Sequence, residues 1–250
     1  MDKKIEPVIS IITPVLNEQD NIISYLNHLE KIIKINEITT EVIIVDASIN
    51  NETIEMINNH SNNYDFKIKG IKYPVGQSPN RAGQMNLGVK NAKGNIFLFL
   101  HIDTLLPEPA LMKINREINN GLNGGAFSIS FYPANFKVKI VEFLDRMLIY
   151  FTKNFFGDQA IFTSRYFFEK TGGYPDVKLM EDLMMSDYLR KSKKFIIFKD
   201  KVITSSRRFL KNGIIKQMLL NTYLYNYFRL GGSTDKIYYK YEKIKKSNQK

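Results

Sequence analysis

The sequence contains no cysteine and no tryptophan among its 250 residues. Without cysteine the chain has neither disulfide bonds nor thiolate metal ligands, so any metal must bind through oxygen or imidazole. The absence of cysteine is typical of a reducing compartment, although secreted proteins can also lack it.

Long hydrophobic runs are also missing. No stretch approaches the roughly 18 apolar residues of a membrane-spanning helix, and the N-terminal segment lacks the pattern of a secretory signal. We therefore expect a cytoplasmic protein, with peripheral contact at the inner membrane surface as a further hypothesis. Acidic residues are scarce, since 25 Asp and Glu against 36 Lys and Arg give a net charge of +11. This excess favours phosphate-bearing or anionic partners without choosing among nucleotides, nucleic acid and membranes.

The first hundred residues alternate between strand-like and helix-like segments. Strand-like runs lie at 8–13, 41–46, 66–73 and 95–100, and helical spacing of apolar residues lies at 17–33, 51–60 and 81–92. Strands that are apolar at successive positions are buried on both faces, so this half predicts a parallel α/β sheet.

After residue 103 the pattern becomes mixed. Strand-like runs lie at 124–131 and 159–164, and helix-like runs lie at 137–151 and 179–191. No linker rich in Pro, Gly or Ser separates the halves, so we expect one domain. The catalytic domain spans 1–235 and has three parts, which are a nucleotide-binding half at about 1–104, an acceptor half at about 105–210 and a C-terminal helix at about 211–230. A basic tail at 236–250 follows, and we expect it to fray.

Polar residues collect where the predicted strands end. Asp46 follows the second strand, and His101 and Asp103 follow the fourth. Ligands of open parallel sheets bind at this edge, although Asp46 alone can equally be a turn or helix-capping residue. Neither G-x-G-x-x-G after the first strand nor G-x-x-x-x-G-K-[ST] is present, so dehydrogenases and P-loop NTPases lose their main support.

Five segments carry a family resemblance, and they are "IITPVLNEQDNI", "VIIVDAS", "RAGQMNLGVKNAKGNIFLFLHIDTLLP", "GDQAIFTSRYFFEKTGGYP" and "LMEDLMMSDYLRK". Together they resemble family 2 glycosyltransferases of the GT-A fold, and most closely the small subgroup with L-H-x-D-T in place of D-x-D. The match runs in order from about residue 8 to residue 210. It implies an α/β fold with a mostly parallel nucleotide-binding sheet flanked by helices. It also implies an inverting enzyme that moves a sugar from a nucleoside-diphosphate sugar, UDP-linked, to an acceptor hydroxyl.

The resemblance further implies a metal site. Asp103 would bind Mn²⁺ or Mg²⁺ at the diphosphate of the donor, and one carboxylate plus phosphates suffices for such an ion. His101 stands where relatives often have an aspartate. It either binds the metal, which would favour Mn²⁺, or hydrogen-bonds at the strand end.

The remaining donor-site residues also come from the resemblance. Asp46 would accept hydrogen bonds from uracil or ribose, and Arg81 would meet a phosphate or the base. The other implied contacts are Pro14, Asn17 and Glu18 around the base and ribose, Gln84 and Asn86 beside Arg81, Gly157, Asp158 and Gln159 beneath the sugar, and Arg207 or Arg208 over the diphosphate. A solvated helix start is the alternative for the Arg81 segment.

The candidate general base is Asp182, with Glu181 orienting the acceptor, as the E-D pair of inverting relatives implies. Helical spacing predicts an apolar stripe of Met180, Leu183, Met184 and Tyr188, with Asp182 roughly opposite. Acidic residues in a first helical turn can instead serve the helix dipole alone. Ahead of this helix, Gly173 and Tyr174 predict a tight turn whose exposed ring stacks on a sugar, or an ordinary turn.

Two other functions remain open at this point. A nucleotidyltransferase on a related α/β fold would need a Gly-rich basic loop after the first strand, where the chain has the acidic "TPVLNEQDN". A non-enzymatic binder of anionic surfaces would show salt-sensitive binding that survives loss of the acidic residues. Nucleic acid is not an expected partner. The apolar stripe at 212–232 predicts a helix packed on its own domain, a homodimer contact or a membrane contact that serves a lipid-linked acceptor.

Overall fold

The computed structural model describes residues 6–74 and 80–247, with side chains in the last helix up to Glu242. The strands of this part are β1 Ile9–Val15, β2 Thr40–Asp46, β3 Lys67–Lys72, β4 Ile96–Phe99, β5 Thr104–Leu105, β6 Gly124–Tyr132, β7 Phe162–Ser164 and β8 Phe195–Ser205. They form one sheet in the order β3-β2-β1-β4-β7-β6-β8-β5.

The helices flank this sheet. They are α1 Ile22–Asn36, α2 Glu52–His60, α3 Arg81–Asn91, α4 Ala110–Asn119, α5 Phe136–Thr152, α6 Arg165–Lys170, α7 Glu181–Ser192, α8 Arg207–Asn212, α9 Ile214–Arg229 and α10 Thr234–Ser247. Within the described ranges, none of them is both long enough and apolar enough to cross a bilayer.

The first half of the sheet is parallel, as the sequence predicts. β1 pairs in parallel with β2 and β4, and β2 pairs in parallel with β3. The side chains of β1, β2 and β4 are almost all buried, which explains their uninterrupted apolar runs. The four predicted strands therefore exist, with bounds that differ by one or two residues.

The second half is mixed, also as predicted. β7 pairs antiparallel with β4 and β6, β6 pairs in parallel with β8, and β5 pairs antiparallel with β8. This arrangement extends the nucleotide-side sheet into the second half of the chain. It places the start of α7 near the end of β4, since Gly157 lies against both Asp182 of α7 and His101 after β4.

The C-terminal segment differs from its prediction. The prediction of a frayed tail from Lys236 is wrong for the described residues, because 234–247 forms α10. Ile237 on this helix is fully buried, and Asp235 lies 3.5 Å from the Lys178 ammonium in the loop before α7. The buried Ile237 and the contacts of Lys178 with the Tyr238 ring and of Lys240 with the Tyr223 ring thus hold a segment that its lysine content predicts to be free.

Candidate functional site

A cavity of about 430 Å³ lies beside the carboxyl end of β4. Its walls come from α5, α7 and α9 and from the loops after β4 and β8, and Tyr241 of α10 reaches it. The site residues predicted from the sequence that line it are Arg81, His101, Asp103, Asp158, Gln159, Glu181, Asp182 and Arg207. The fold therefore brings together chemistry that is scattered over 127 positions of the chain, from 81 to 207.

Asp182 is held at the cavity wall by two backbone donors. Its Oδ1 accepts a hydrogen bond of 2.8 Å from the Leu183 N–H, and its Oδ2 accepts one of 2.9 Å from the Gly157 N–H. A Cβ atom on Gly157 would lie 3.1 Å from Nε2 of His101. Glycine at 157 thus lets the histidine ring and the carboxylate approach the same backbone.

Glu181 occupies a different environment from its neighbour. Its side chain is almost fully buried, and Oε1 lies 3.6 Å from Nε of Arg81. Burial raises the pKa of Glu181, the Arg81 charge opposes this rise, and the Asp182 carboxylate adds to it. The ion pair joins the starts of α3 and α7, so Arg81 has a protein partner in addition to its position on the cavity.

His101 and Asp103 differ in exposure. Asp103 is exposed at the cavity. Burial lowers the pKa of His101 to about 3, and the positive charges of Arg81 and Arg208 contribute. A neutral imidazole offers a nitrogen lone pair either to a metal or to a hydrogen bond, so both alternatives for His101 stay open.

Further carboxylates lie on the same cavity. Burial raises the pKa of Asp158 to about 7, with Asp145 and Asp182 adding to the effect and Arg208 opposing it. Asp145 is on α5, and burial raises its pKa to about 6. The sequence does not distinguish Asp145, since it stands in an apolar helix beside an equally plausible Glu142.

Arg207 and Arg208 both line the cavity, from the first turn of α8. The charge of Arg208 acts on His101 and on Asp158. Of the two arginines that the sequence offers, Arg208 therefore has the more direct electrostatic link to the acidic groups.

The side-chain amides of two predicted site residues hydrogen-bond to the backbone of the protein. Gln84 donates from Nε2 to the carbonyls of Val15 (2.8 Å) and Val45 (2.7 Å), which ties the carboxyl ends of β1 and β2 together. Gln159 donates to the Phe127 carbonyl at 2.8 Å and accepts from the backbone N–H of the residue before Gly157 at 2.9 Å. Both side chains are buried.

The turn before α7 is fixed from α3. Asn86 accepts a hydrogen bond of 3.0 Å from the Tyr174 N–H and donates one of 2.8 Å to its carbonyl. Gly173 has φ +80°, and a Cβ there would lie 2.9 Å from Oδ1 of Asn86, so this turn requires glycine. The prediction of an exposed Tyr174 is wrong, because its ring is buried 4.8 Å from Phe99 and 5.7 Å from Phe168, measured between centroids.

The predicted stripe on α7 is also wrong in part. The helix begins at Glu181, and Met180 precedes it with φ +72°. Met184 and Tyr188 are only half-buried. The buried face consists of Glu181, Leu183, Met185, Ser186 and Leu189.

The predicted nucleoside contacts form a separate group at the ends of β1 and β2. Asp46 is buried and accepts hydrogen bonds from Ser48 N (2.9 Å), Ser48 Oγ and Lys72 Nζ (3.2 Å). Asn17, exposed and with φ +56°, donates its backbone N–H to Ser48 Oγ at 2.7 Å. Pro14 and Glu18 beside it are half-buried. Lys72, which sequence reasoning missed, places a positive charge beside this aspartate.

Comparison with solved structures shows the fold. Residues 1–349 of S. aureus TarS match with a TM-score of 0.61 at 16% identity, over 79% of this chain and 60% of that one. The same residues of TarS in complex with UDP-GlcNAc match with a TM-score of 0.60 at 16% identity, over 79% and 58%. The mannosyltransferase PcManGT from Pyrobaculum calidifontis in complex with GDP-Man and Mn²⁺ matches with a TM-score of 0.61 at 18% identity, over 80% and 57%. This chain thus spans about 60% of the length of these neighbours.

Sequence comparison supplies the family. None of the curated proteins matches the chain. The family model described as glycosyl transferase family 2 matches residues 10–170, which include β1 except its first residue, the residues after β4 and Gly157. The chain therefore belongs to glycosyltransferase family 2 and has a GT-A fold.

Proposed function

We propose that this glycosyltransferase is metal-dependent and inverting, and that it moves a sugar from a nucleoside-diphosphate sugar to an acceptor hydroxyl. The observation that carries the proposal is the cavity on which Asp103, Asp182 and Arg208 all open. The solved neighbours in complex with UDP-GlcNAc and with GDP-Man support this donor class. Those two donors carry different bases, so the choice of uridine rests on the family resemblance around Asp46.

The residues at the end of β4 fit a divalent cation that is shared with the donor. Among the described residues, no three His, Asp or Glu side chains converge as a ready-made cage. Mg²⁺ and Mn²⁺ sites that include substrate phosphates need only one or two protein ligands. Asp103, exposed on the cavity, and the neutral His101 imidazole are suitable ligands. When bound, the cation offsets the charge that develops on the leaving diphosphate.

Asp182 is the proposed general base. Its carboxylate is fixed by the N–H groups of Gly157 and Leu183, and these bonds leave lone pairs on both oxygens for an acceptor hydroxyl. As that oxygen attacks the anomeric carbon, its proton passes to Asp182 and the sugar–phosphate bond breaks on the opposite face. Inversion follows from this single displacement.

Arginines on the cavity have different proposed roles, one in binding the diphosphate and another in holding a neighbouring carboxylate. Arg208 lies near His101 and Asp158 and is the better placed of the two arginines to meet the leaving group. Arg81 positions Glu181 through their ion pair. At the end of β2, the buried Asp46 holds Ser48 and Lys72, and Lys72, which is partly exposed, is the side chain of this group that suits a ribose or a base. Residues 1–235 act as one catalytic domain in this proposal.

The alternatives from the sequence have less support. Membership of glycosyltransferase family 2 argues against a nucleotidyltransferase and against a binder without activity. A nucleotidyltransferase would cleave between the α and β phosphates, whereas the proposed enzyme releases an intact nucleoside diphosphate. The products therefore distinguish the two reactions.

The direct test of the proposed base is Asp182→Asn. We expect donor binding to persist and donor hydrolysis or transfer to fall by about 10²-fold or more, the usual scale for loss of a general base. Asp65→Asn is the matched control, because Asp65 is exposed outside the cavity and undergoes the same change of charge. The anomeric configuration of the released sugar, read by NMR, tests inversion in the same samples.

Near-normal turnover of Asp182→Asn would remove this residue as the base. Retention of anomeric configuration would overturn the single-displacement mechanism. The acceptor is a separate molecule in this proposal, and a lipid-linked acceptor would require the enzyme to contact a membrane.

A further inference from the structure

Helix α5 exposes an uninterrupted apolar face. Phe136 is 79% exposed, Phe143 55% and Phe151 71%. The other large apolar side chains exposed on this helix are Ile140, Leu144, Met147, Leu148 and Tyr150. At about 100° per residue these positions cover one continuous side of the helix.

The opposite side of α5 is also apolar and faces the protein. Val138, Val141 and Ile149 are buried. A helix that is hydrophobic all round is normally covered on all sides, yet the structure covers only one side of α5. The exposed face therefore calls for a partner that covers it.

Charge on α5 is segregated by sign. Lys137 and Lys139 are exposed and flank the apolar face. The acidic residues lie on the other side, where Glu142 is buried against Lys201 and Asp145 opens on the cavity. The side that faces away from the protein is thus apolar at its centre and basic at its edges, without a carboxylate. This is the pattern of a helix that lies in the interface of an anionic bilayer.

The same helix forms a wall of the catalytic cavity. Val141, Asp145, Leu148 and Ile149 line it from α5, and Met218, Thr222 and Tyr225 line it from α9. The two helices are in contact, and α9 exposes Ile215, Leu219 and Tyr223 at spacings of four residues. Val141, Asp145 and Ile149 face the cavity from the side of α5 opposite its exposed face, so a surface that covers α5 would lie one helix diameter, about 10 Å, from the cavity.

We propose that the exposed face of α5 docks on an anionic lipid bilayer and brings the cavity to acceptors held in that membrane. The net charge of +11 favours the same surface. A second copy of the chain is a poorer occupant, because the exposed face of α5 carries Lys137 and Lys139 at its edges and no carboxylate that could pair with the lysines of a copy. The docking itself is independent of the proposed function, and only the class of acceptor rests on it.

The test is flotation of the full chain with vesicles of phosphatidylcholine that contain about one third phosphatidylglycerol. We expect binding at low salt, and at least about tenfold weaker binding for the double variant Phe143→Gln, Phe151→Gln, because both rings leave the interface. The matched control is Met112→Gln, Tyr166→Gln, which alters side chains of similar exposure, 52% and 70%, on α4 and α6. This control should bind like the wild type.

A second variant tests the charge. Lys137→Gln, Lys139→Gln should bind anionic vesicles about tenfold or more weakly, since each lysine near such a surface contributes about 1 kcal/mol. On vesicles of phosphatidylcholine alone, the lysine variant and the wild type should differ little. Neither variant alters a residue that lines the cavity, so donor hydrolysis in solution should be unchanged and shows that each variant is folded.

Three results would overturn the proposal. One is no binding of the wild type to anionic vesicles at low salt. Another is equal binding of the phenylalanine variant, which would place the contact elsewhere. The third is a dimer in sedimentation velocity that only the phenylalanine variant dissociates, which would make this face a homodimer contact. None of these readouts uses a donor, so failure of docking and failure of the proposed transfer are distinguishable.

Discussion

Of the residues that follow β4, some stabilise the fold and others line the cavity. Leu100 is fully buried, whereas Asp103, three positions on, is exposed on the cavity. An exposed side chain at a cavity contributes little to the core, so its removal should alter ligand binding and leave stability unchanged.

For Asp103→Ala we expect loss of metal-dependent binding of a nucleoside diphosphate, with an unchanged unfolding midpoint. Titration calorimetry with UDP and GDP, each with Mn²⁺, with Mg²⁺ and with a chelator, measures this. Asp65→Ala is the control, because it removes an exposed carboxylate outside the cavity. Unchanged metal-dependent affinity in Asp103→Ala would take this residue out of the metal site.

The predictability of site residues from the sequence depends on what their polar atoms do. Asp103, Asp182 and Arg81 lie on the cavity, and their roles stay predictions. The position of Asp103 follows from the strand that it ends, because polar side chains after parallel strands reach this edge of the sheet. The family resemblance groups Gln84 and Asn86 with them, but the amides of these two residues bind backbone carbonyls and N–H groups. Local sequence cannot separate these cases, since an amide serves a ligand and a buried carbonyl equally well.

At the scale of elements, α5 is anchored by one carboxylate. Glu142 accepts hydrogen bonds from Lys201 of β8 (2.9 Å) and Ser130 of β6 (3.0 Å). Burial alone would raise the pKa of Glu142, but the hydrogen bonds from Lys201 and Ser130, with the charges of Lys201 and Arg146, outweigh it and lower the pKa from its usual 4.5. The folded state therefore favours the ionised form.

This anchor gives a stability prediction. Glu142→Gln should cost about 1–2 kcal/mol of unfolding free energy near neutral pH. Because the folded pKa is lowered, the contribution is present above the unfolded value of about 4.5 and is lost as pH falls through the lower folded pKa. Urea unfolding at several pH values should show the difference from wild type shrinking in acid. The exposed pair of Glu169 with Arg165 supplies the control Glu169→Gln, which should change stability by less than about 0.5 kcal/mol. A difference that grows in acid would contradict this role for Glu142.

Helix α10 gives a second prediction at this scale. Trypsin should cut the wild type slowly after Lys236 and Lys240, because both lie within a helix that Ile237 anchors. Ile237→Ser should be cut several-fold faster at these sites, since it loses its buried contact. Tyr239→Ser, which alters an exposed side chain of the same helix, should behave like the wild type. Rapid cleavage of the wild type would contradict an anchored α10 and support the frayed tail that the sequence predicts.

Elements with a clear period were predictable and those without one were not. The apolar runs of β1, β2 and β4 and the helical spacing in α1 mark those elements within a few residues. β8 begins with "FIIF" but continues through "KDK". These polar residues interrupt the apolar pattern, so the sequence does not indicate a strand of eleven residues. In α10 the burial of Ile237 and the contact of Lys240 with the Tyr223 ring outweigh a lysine-rich composition, and such tertiary contacts leave no periodic signal.

At the scale of the whole molecule, the site lies between the two halves of the chain. The parallel half supplies Arg81, His101 and Asp103, and the mixed half supplies Asp182 and Arg208. The sequence indicates both halves, but the exposed face of α5 is visible only in the fold, because a run of apolar residues does not show which side stays uncovered. That face and the cavity share one helix, which links catalysis to the proposed membrane contact.

The most direct measurement of the central claim is a donor-hydrolysis screen of the full chain across UDP- and GDP-linked sugars, with Mn²⁺, with Mg²⁺ and with a chelator. We expect slow release of an intact nucleoside diphosphate from one donor class, dependent on the metal and absent in Asp103→Ala. Release of a nucleoside monophosphate, or release that neither the chelator nor Asp103→Ala reduces, would contradict a metal-dependent glycosyltransferase centred on this cavity.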